Sequence, residues 1–142
     1  MTVEAKCLLQ ASMSCLPLAT AFVDDFGVRH GIAPNDVLRL RLIVEELFTN
    51  TASHGLGGEA DAQVRLTLAA APTQVELVYE DSAPPFDPLA RLGQVRAELD
   101  RASEERRAGG IGLALATQLA SRVSYTRDDG WNRLNLVMLR ER

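Results

Sequence analysis

The sequence has 142 residues, of which 46% are hydrophobic and 24% charged, values typical of one globular domain and not of a disordered or fibrous chain. Its formal net charge is −4 and it has no run of basic residues, which argues against direct nucleic-acid binding. Two cysteines are too few for a disulfide framework, and no apolar stretch approaches the roughly 18 residues of a membrane span. We therefore expect a single cytoplasmic domain over residues 1–142, without membrane contact.

The first half of the chain predicts one strand followed by two helices. Residues 5–10 form a short apolar strand, and a helical pattern then continues as far as the breaker Pro34. The apolar residues of this first helix are Leu16, Leu18, Phe22 and Phe26. Asn35 or Asp36 can cap a second helix, which we expect to end at Gly55. The apolar stripe of the second helix consists of Val37, Leu40, Val44 and Leu47.

The middle of the chain predicts a hairpin followed by a long irregular stretch. Residues 64–68 and 75–79 alternate apolar and polar side chains and are joined by a short turn, so we expect two antiparallel strands. Residues 81–110 contain three prolines, many charges and only weak periodicity. A segment of this kind is unusual in a compact domain unless it is a functional lid.

The last part of the chain predicts a helix and a closing hairpin. The helix covers residues 111–122, and the hairpin strands cover 123–127 and 131–139 around Asp128-Asp129-Gly130. With the earlier elements, this order indicates an α/β sandwich of the α+β class. Three main helices should cover one face of a mostly antiparallel sheet.

One group of polar residues lies on the second helix. Glu46, Asn50 and His54 follow each other at intervals of four residues, so they share one helix face. An amide oxygen is a hard ligand suited to Mg²⁺, and a nearby carboxylate can accept the proton of a hydroxyl nucleophile. Taken alone, a solvated helix face is the better explanation, because charged helix faces are common.

Two other segments also have both a functional and an ordinary interpretation. Asp81 ends an apolar strand before a proline-rich turn, where a carboxylate can accept a hydrogen bond from an exocyclic amine such as that of adenine. Alone, ordinary turn chemistry is the better explanation of Asp81. Residues 108–116 place glycines at the start of an apolar helix, whose free amide groups can hold phosphate. A hinge into a buried helix explains the same glycines equally well.

The order of these segments resembles one known family. E-x-x-x-N on a helix, an aspartate at a strand end, a long charged stretch and G-G-x-G opening a helix are together similar to the GHKL family of ATPases and kinases. The likeness extends over essentially the whole chain and is greatest to the anti-sigma factor serine kinases. It implies a Bergerat-type ATP-binding fold. The best-matching runs are Glu45-Glu46-Leu47-Phe48-Thr49-Asn50 with His54-Gly55, and Asp81 with Phe86-Asp87-Pro88.

The resemblance implies a role for each matching residue. Glu46 would be the catalytic general base, Asn50 would bind Mg²⁺, and Asp81 would hold the adenine amine. A lid at about 82–108 would close over ATP. The other residues implied in nucleotide binding are Ala83, Phe86, Arg106, Arg107, Gly109, Gly110, Ile111, Gly112 and Leu113.

The resemblance also implies an activity and partners. The chain would be a Mg·ATP-dependent protein serine/threonine kinase that phosphorylates an anti-sigma factor antagonist of the STAS type and regulates a sigma factor by partner switching. A homodimer is implied as well. Ala83 stands where the family usually has glycine, and we expect its Cβ to crowd the base or restrict the turn. Two alternatives therefore stay open: a nucleotide-gated binding module with little or no kinase activity, and a slow ATPase.

Overall fold

The computed structural model describes residues 2–52, 62–84 and 118–141. The strands in these ranges are β1 (Val3–Gln10), β2 (Gln63–Ala70), β3 (Gln74–Asp81), β4 (Arg122–Asp128) and β5 (Trp131–Leu139). The helices are α1 (Leu16–Arg29), preceded by a 3-10 turn at Met13–Cys15, and α2 (Pro34–Asn50). Cys7 and Cys15 are free thiols. None of the described helices is long and apolar enough to cross a bilayer.

The five strands form one sheet in the order β1-β2-β3-β5-β4, and every neighbouring pair is antiparallel. The predicted α+β class and the mostly antiparallel sheet are therefore confirmed, as are both predicted hairpins. The β4–β5 turn has positive φ at Asp129 (51°) and Gly130 (83°). Positive φ at both central residues matches the twist of the flanking strands, which is why an Asp-Gly pair closes this hairpin.

The core lies between the sheet and the two helices. Because strand side chains alternate between faces, every second residue of a central strand is buried. These buried strand residues are Val64, Leu66 and Leu68 in β2, Val75, Leu77 and Tyr79 in β3, and Leu134, Leu136 and Met138 in β5. The helices contribute buried side chains at helical spacing, including Val23, Phe26, Leu40, Val44 and Phe48. Burial of each large apolar side chain contributes about 1.5–3 kcal/mol.

The start of α2 differs from the prediction. The N-cap is Ala33, Pro34 is the first helical residue, and neither Asn35 nor Asp36 makes a side-chain cap. Proline suits this position because its φ is already helical and the first helical residue needs no N–H partner. Asp36 is instead fully buried and accepts a hydrogen bond from the backbone N–H of Glu141 at 2.8 Å. The residue therefore fastens the end of the chain to the start of α2.

The ends of two predicted helices lie at the edge of the described residues. After α2, Thr51 and Ala52 continue in π-helical conformation, and the predicted end at Gly55 lies outside the described residues. Of the predicted helix 111–122, only Gln118–Leu119 are both described and helical, and Arg122 already belongs to β4. The predicted C-terminal boundary was therefore too late. The expected covering by three helices is confirmed for α1 and α2.

The sheet face opposite the helices carries a network of ion pairs. Glu80 on β3 receives hydrogen bonds from Arg65 Nε on β2 at 2.9 Å and from Arg133 Nε on β5 at 3.0 Å. The guanidinium of Arg65 also lies 4.4 Å from the ring centroid of Trp131. The hydrogen bond from Arg65 is the main cause of a lowered pKa at Glu80, against an opposing effect of burial. These pairs link three strands in one register.

The two helices approach closely at Gly27 of α1. A Cβ added there would lie 2.5 Å from Val37 Cγ2 of α2, well inside the normal contact distance. Val37 is β-branched and cannot move away freely within a helix. The close approach of α2 therefore explains why this position of α1 is glycine: a side chain here would clash with Val37.

We expect Gly27→Ala to lower the free energy of unfolding by about 1–3 kcal/mol, because the new methyl group overpacks the contact with Val37. Adding Val37→Ala should recover most of this loss, since the two changes are coupled. Urea unfolding followed by circular dichroism measures both. Val28→Ala, at a site that is 85% exposed, should be nearly neutral. Equal effects of Gly27→Ala with and without Val37→Ala would contradict the contact.

Candidate functional site

Hydrogen bonds between buried side chains join the C-terminal end of α2 to the end of β3. Thr51 Oγ1 lies 2.6 Å from the Tyr79 hydroxyl and 3.3 Å from Asp81 Oδ2. The Tyr79 hydroxyl also donates to the carbonyl of Leu47 at 3.1 Å. Burial raises the pKa of Tyr79 well above its usual range, so its hydroxyl stays a neutral donor. We call this contact of Leu47, Thr51, Tyr79 and Asp81 the helix–strand junction.

Glu46 and Asn50 lie on one flank of the helix–strand junction. Both are half-buried and one turn apart on α2. At about 100° per residue, Asn50 lies about 180° around the helix from Arg41. Arg41 pairs with Asp24 of α1 at 3.6 Å and therefore marks the side of α2 that contacts α1. Glu46 and Asn50 therefore lie on the side of α2 that faces away from α1. This position leaves both side chains on one face, as the sequence predicted.

The Glu46 carboxyl differs from that of its neighbour Glu45. Burial, and secondarily the charge of Glu45, raise the pKa of Glu46 above its ordinary value. Glu45 instead pairs with Arg41 at 3.7 Å. A raised pKa suits a general base, because it brings proton affinity closer to neutral pH while the ionised form is still available.

Asp81 is the last residue of β3 and is held from three directions. Its Oδ1 accepts from Asn132 Nδ2 at 2.8 Å and from the backbone N–H of Ala83 at 3.1 Å, and its Oδ2 has the contact with Thr51. Burial raises the pKa of Asp81, and these hydrogen bonds together with the charge of Arg127 oppose that effect. Each carboxylate oxygen can accept about two hydrogen bonds. Oδ2 therefore retains capacity for another donor, such as an amine.

Ala83 occupies the turn that follows Asp81. Its φ is not in the positive range, since Asp129 is the only non-glycine residue with positive φ among those the structure describes. The backbone conformation seen here is therefore one that alanine adopts without strain. Restriction of the turn by the Cβ of Ala83 stays a prediction. Ala83 is 2% exposed and packs with the apolar core. Crowding of a bound base by its methyl group stays a prediction.

Sequence analysis missed the polar residues that support Asp81 from β4 and β5. Asn132 is 5% exposed and lies opposite Asp81 in the sheet register. Tyr125 and Arg127 of β4 both donate to its Oδ1, at 2.6 and 3.2 Å. A signal was available, because Asn132 takes an inward position in a strand whose other inward residues are apolar, and buried polar residues usually have a specific partner.

The remaining residues predicted for the site lie outside the described part of the chain. They are His54, Phe86, Arg106, Arg107, Gly109, Gly110, Ile111, Gly112 and Leu113, together with most of the predicted lid at about 82–108. The structure thus joins the end of α2, the helix that carries Glu46 and Asn50, to Asp81 through Thr51, and it joins Asp81 to Ala83. It gives no placement for the predicted phosphate-binding residues.

The described residues fit a magnesium ion that is bound mainly by a nucleotide. Within 2–52, 62–84 and 118–141, no three His, Cys, Asp or Glu side chains are grouped so that they could hold a metal. Asn50 supplies one amide oxygen beside the junction. Mg²⁺ keeps several waters and commonly takes one or two protein ligands besides substrate phosphates. A protein-only metal centre does not fit this part of the chain; a magnesium ion bound mainly by a nucleotide, with Asn50 as its protein ligand, is compatible with it and stays a prediction.

Comparison with known proteins gives an independent result. A sequence model of the histidine kinase-like ATPase domain matches residues 9–138. The serine/threonine-protein kinase BtrW of Bordetella bronchiseptica is 33% identical over 98 residues, which cover 69% of this chain and 67% of that protein. The serine-protein kinase RsbW of Listeria monocytogenes is 26% identical over 132 residues, covering 91% and 84%. RsbW of Listeria innocua has the same identity and coverage.

We expect Asp81→Asn to raise the free energy of unfolding at pH 7 by about 1 kcal/mol in the absence of nucleotide. The amide keeps an acceptor for Asn132 and Ala83 and removes a partly buried charge. A folded-state pKa above the unfolded one means that wild-type stability grows as pH falls through the folded pKa. The difference in free energy of unfolding between the variant and the wild type should therefore become smaller between pH 7 and pH 4.

Urea unfolding of both proteins at several pH values measures this difference. Asp25→Asn serves as a matched control, because the Asp25 side chain is 72% exposed and its ion pair with Arg29 contributes little. A variant that is clearly less stable than wild type at pH 7 would show that the Asp81 charge stabilises the fold.

Proposed function

This chain belongs to the histidine kinase-like ATPase family, and from that membership we propose that it is a Mg·ATP-dependent protein serine/threonine kinase. Relatives named as serine or serine/threonine kinases match most of the chain, which supports transfer to a protein hydroxyl. The observation that carries the proposal is the helix–strand junction. It places the helix that bears Glu46 and Asn50 against the strand end that bears Asp81.

The proposed nucleotide lies with its base at Asp81 and its phosphates toward Asn50. The Asp81 carboxylate accepts a hydrogen bond from the amino group of adenine, using the remaining capacity of Oδ2. Asn50 gives its amide oxygen to magnesium, which when bound neutralises charge on the phosphates. Ala83 lines the base end, and the glycines of 109–112 contribute backbone amides to the phosphates.

Glu46 acts as the general base in this proposal. Its carboxylate takes the proton of a serine hydroxyl as the serine oxygen bonds to the γ-phosphorus of ATP, and the bond to ADP breaks. The raised pKa of Glu46 supports this role, because a stronger base takes the proton more readily. The neighbouring Glu45 carboxylate contributes to that rise without taking part in transfer.

The proposed protein substrate is a STAS-type anti-sigma factor antagonist, and the proposed second partner is a sigma factor. Phosphorylation adds a charge of about −2 to the antagonist and would release it, so that the kinase is free to bind sigma. The names of the two kinase relatives support a serine substrate. The resemblance to anti-sigma factor kinases supports the sigma factor, the homodimer and a cytoplasmic location.

The first test of the proposal is titration with ATP by calorimetry, with and without Mg²⁺. We expect magnesium to tighten ATP binding to the wild type, and Asn50→Ala to lose about tenfold or more of that affinity, since it removes the amide ligand. Asn35→Ala is the matched control at the exposed start of the same helix. Wild-type protein that binds no ATP at millimolar concentration would overturn the proposal.

The same ATP titration, combined with an assay of phosphoryl transfer and carried out on Glu46→Gln, separates a kinase from the alternative of a nucleotide-gated binding module. A kinase should keep ATP affinity within about threefold and lose about 100-fold or more in transfer to a STAS-type antagonist protein. A binding module should show little transfer in the wild type and an unchanged partner response in the variant. The position of Ala83 beside the proposed base is the observation that keeps this alternative in view.

We also expect Glu45→Gln to move the acid limb of the pH–rate profile of transfer to lower pH. The base must be ionised, so activity falls as pH drops below the pKa of Glu46, and removing the Glu45 charge lowers that pKa. The measurement is kcat for transfer between pH 5 and pH 8. Glu4→Gln, on β1, is the control and should leave the limb in place. A limb that does not move would assign the titration to another group.

A further inference from the structure

Asn132 has an unusually complete set of partners for one buried side chain. Its Nδ2 donates to Asp81 Oδ1 at 2.8 Å, to the Pro84 carbonyl at 3.0 Å and to the Ala83 carbonyl at 3.3 Å. The residue therefore contacts both the carboxylate at the end of β3 and the turn that follows it. Buried amides this fully bonded hold a single orientation, because any rotation leaves a polar group unpaired.

The partners on the other side of Asn132 fix which way its amide points. Tyr125 donates its hydroxyl to Oδ1 at 2.6 Å, and Arg127 Nη1 lies 3.2 Å from the same oxygen. If the amide were turned over, Nδ2 would face the guanidinium of Arg127, which has no acceptor. Arg127 Nη1 also donates to the Ala83 carbonyl at 2.8 Å. Arg127 thus orients Asn132 and supports the same turn directly.

This arrangement decides which Asp81 oxygen stays available. Oδ1 receives two donors, from Asn132 and from the N–H of Ala83, and so has both lone pairs engaged. Oδ2 has the longer contact with Thr51. Asn132 therefore keeps the carboxylate rotated so that Oδ2 is the oxygen with capacity for a further donor.

We propose that Asn132, oriented by Tyr125 and Arg127, is the positioning residue that makes this site select a base with an amino group where it meets Asp81. It acts through Asp81 and does not need to touch the nucleotide. An ionised carboxylate accepts from the amino group of adenine and repels the carbonyl oxygen that guanine has at the same place. The inference rests on the proposed function, because it assumes that ATP binds with its base at Asp81.

The test is ATP and GTP affinity of the full chain, measured by calorimetry with Mg²⁺. Asn132→Ala should weaken ATP binding about tenfold and change GTP binding by less than about threefold, so the ATP preference falls. In an Asp81→Asn background the same substitution should have little further effect on ATP, since the two residues act as one unit. Asn135→Ala, on the opposite face of β5, is the matched control and should bind both nucleotides like wild type.

The pH dependence of ATP affinity gives a second readout that a purely structural residue would not move. The hydrogen bond from Asn132 lowers the pKa of Asp81 against the effect of burial. Removing it should leave Asp81 protonated to a higher pH, so the pH at which ATP affinity is lost should move upward. Within the part of the chain that the structure describes, the other charged or titratable groups that act on Asp81 are Arg127 and Tyr79, which remain in the variant.

Two milder variants keep the test usable if Asn132→Ala does not fold. Tyr125→Phe removes one donor to Asn132 and keeps the ring, and Arg127→Gln changes an exposed residue. Each should lower the ATP-to-GTP preference about two- to fivefold. Folded variants with unchanged preference and unchanged pH dependence would overturn the inference alone. Wild-type protein that does not bind ATP, or an Asp81→Asn variant that binds it normally, would overturn the proposed function and the inference with it.

Discussion

The site depends on a helix and a strand that meet through buried hydrogen bonds in addition to the apolar core they share. Thr51 and Tyr79 share a 2.6 Å contact, and Tyr79 returns a hydrogen bond to Leu47 one turn earlier on α2. Hydrogen bonds are directional, so they fix the rotation of the helix end and its height along the strand, which apolar packing alone leaves less defined. The separation between the α2 face and Asp81 is therefore set by the junction.

Asp81 shows how such a site differs from the rest of the core. A carboxylate that is partly removed from water is unfavourable for folding, and here it is retained with donors from Asn132, Ala83 and Thr51 around it. These donors limit the rise in its pKa and keep the ionised form accessible. A site that must accept a hydrogen bond from a ligand keeps a charge in place that the fold alone would not favour.

The two faces of the sheet use different means to hold one register. The helix-covered face relies on alternating apolar residues, and the opposite face relies on Glu80 between Arg65 and Arg133. A one-residue slip would bury polar side chains on the first face and separate the ion pairs on the second. This shared register places Asn132 opposite Asp81, so the position of the supporting amide follows from the pairing of β3 with β5.

Hydrophobic periodicity, visible in the sequence alone, determined the order of the strands and helices along the chain, the antiparallel hairpins and the α+β class. The spacing of Glu46 and Asn50 on one helix, and Asp81 at a strand end, are local patterns that marked candidate residues, and the resemblance to the GHKL family combined them into one predicted site. The buried role of Asp36 and the support of Asp81 by Asn132 were decided only by tertiary structure. Both depend on partners far along the chain, since Glu141 bonds to Asp36 and β5 lies beside β3. Local patterns cannot specify contacts that form only when distant segments pack together.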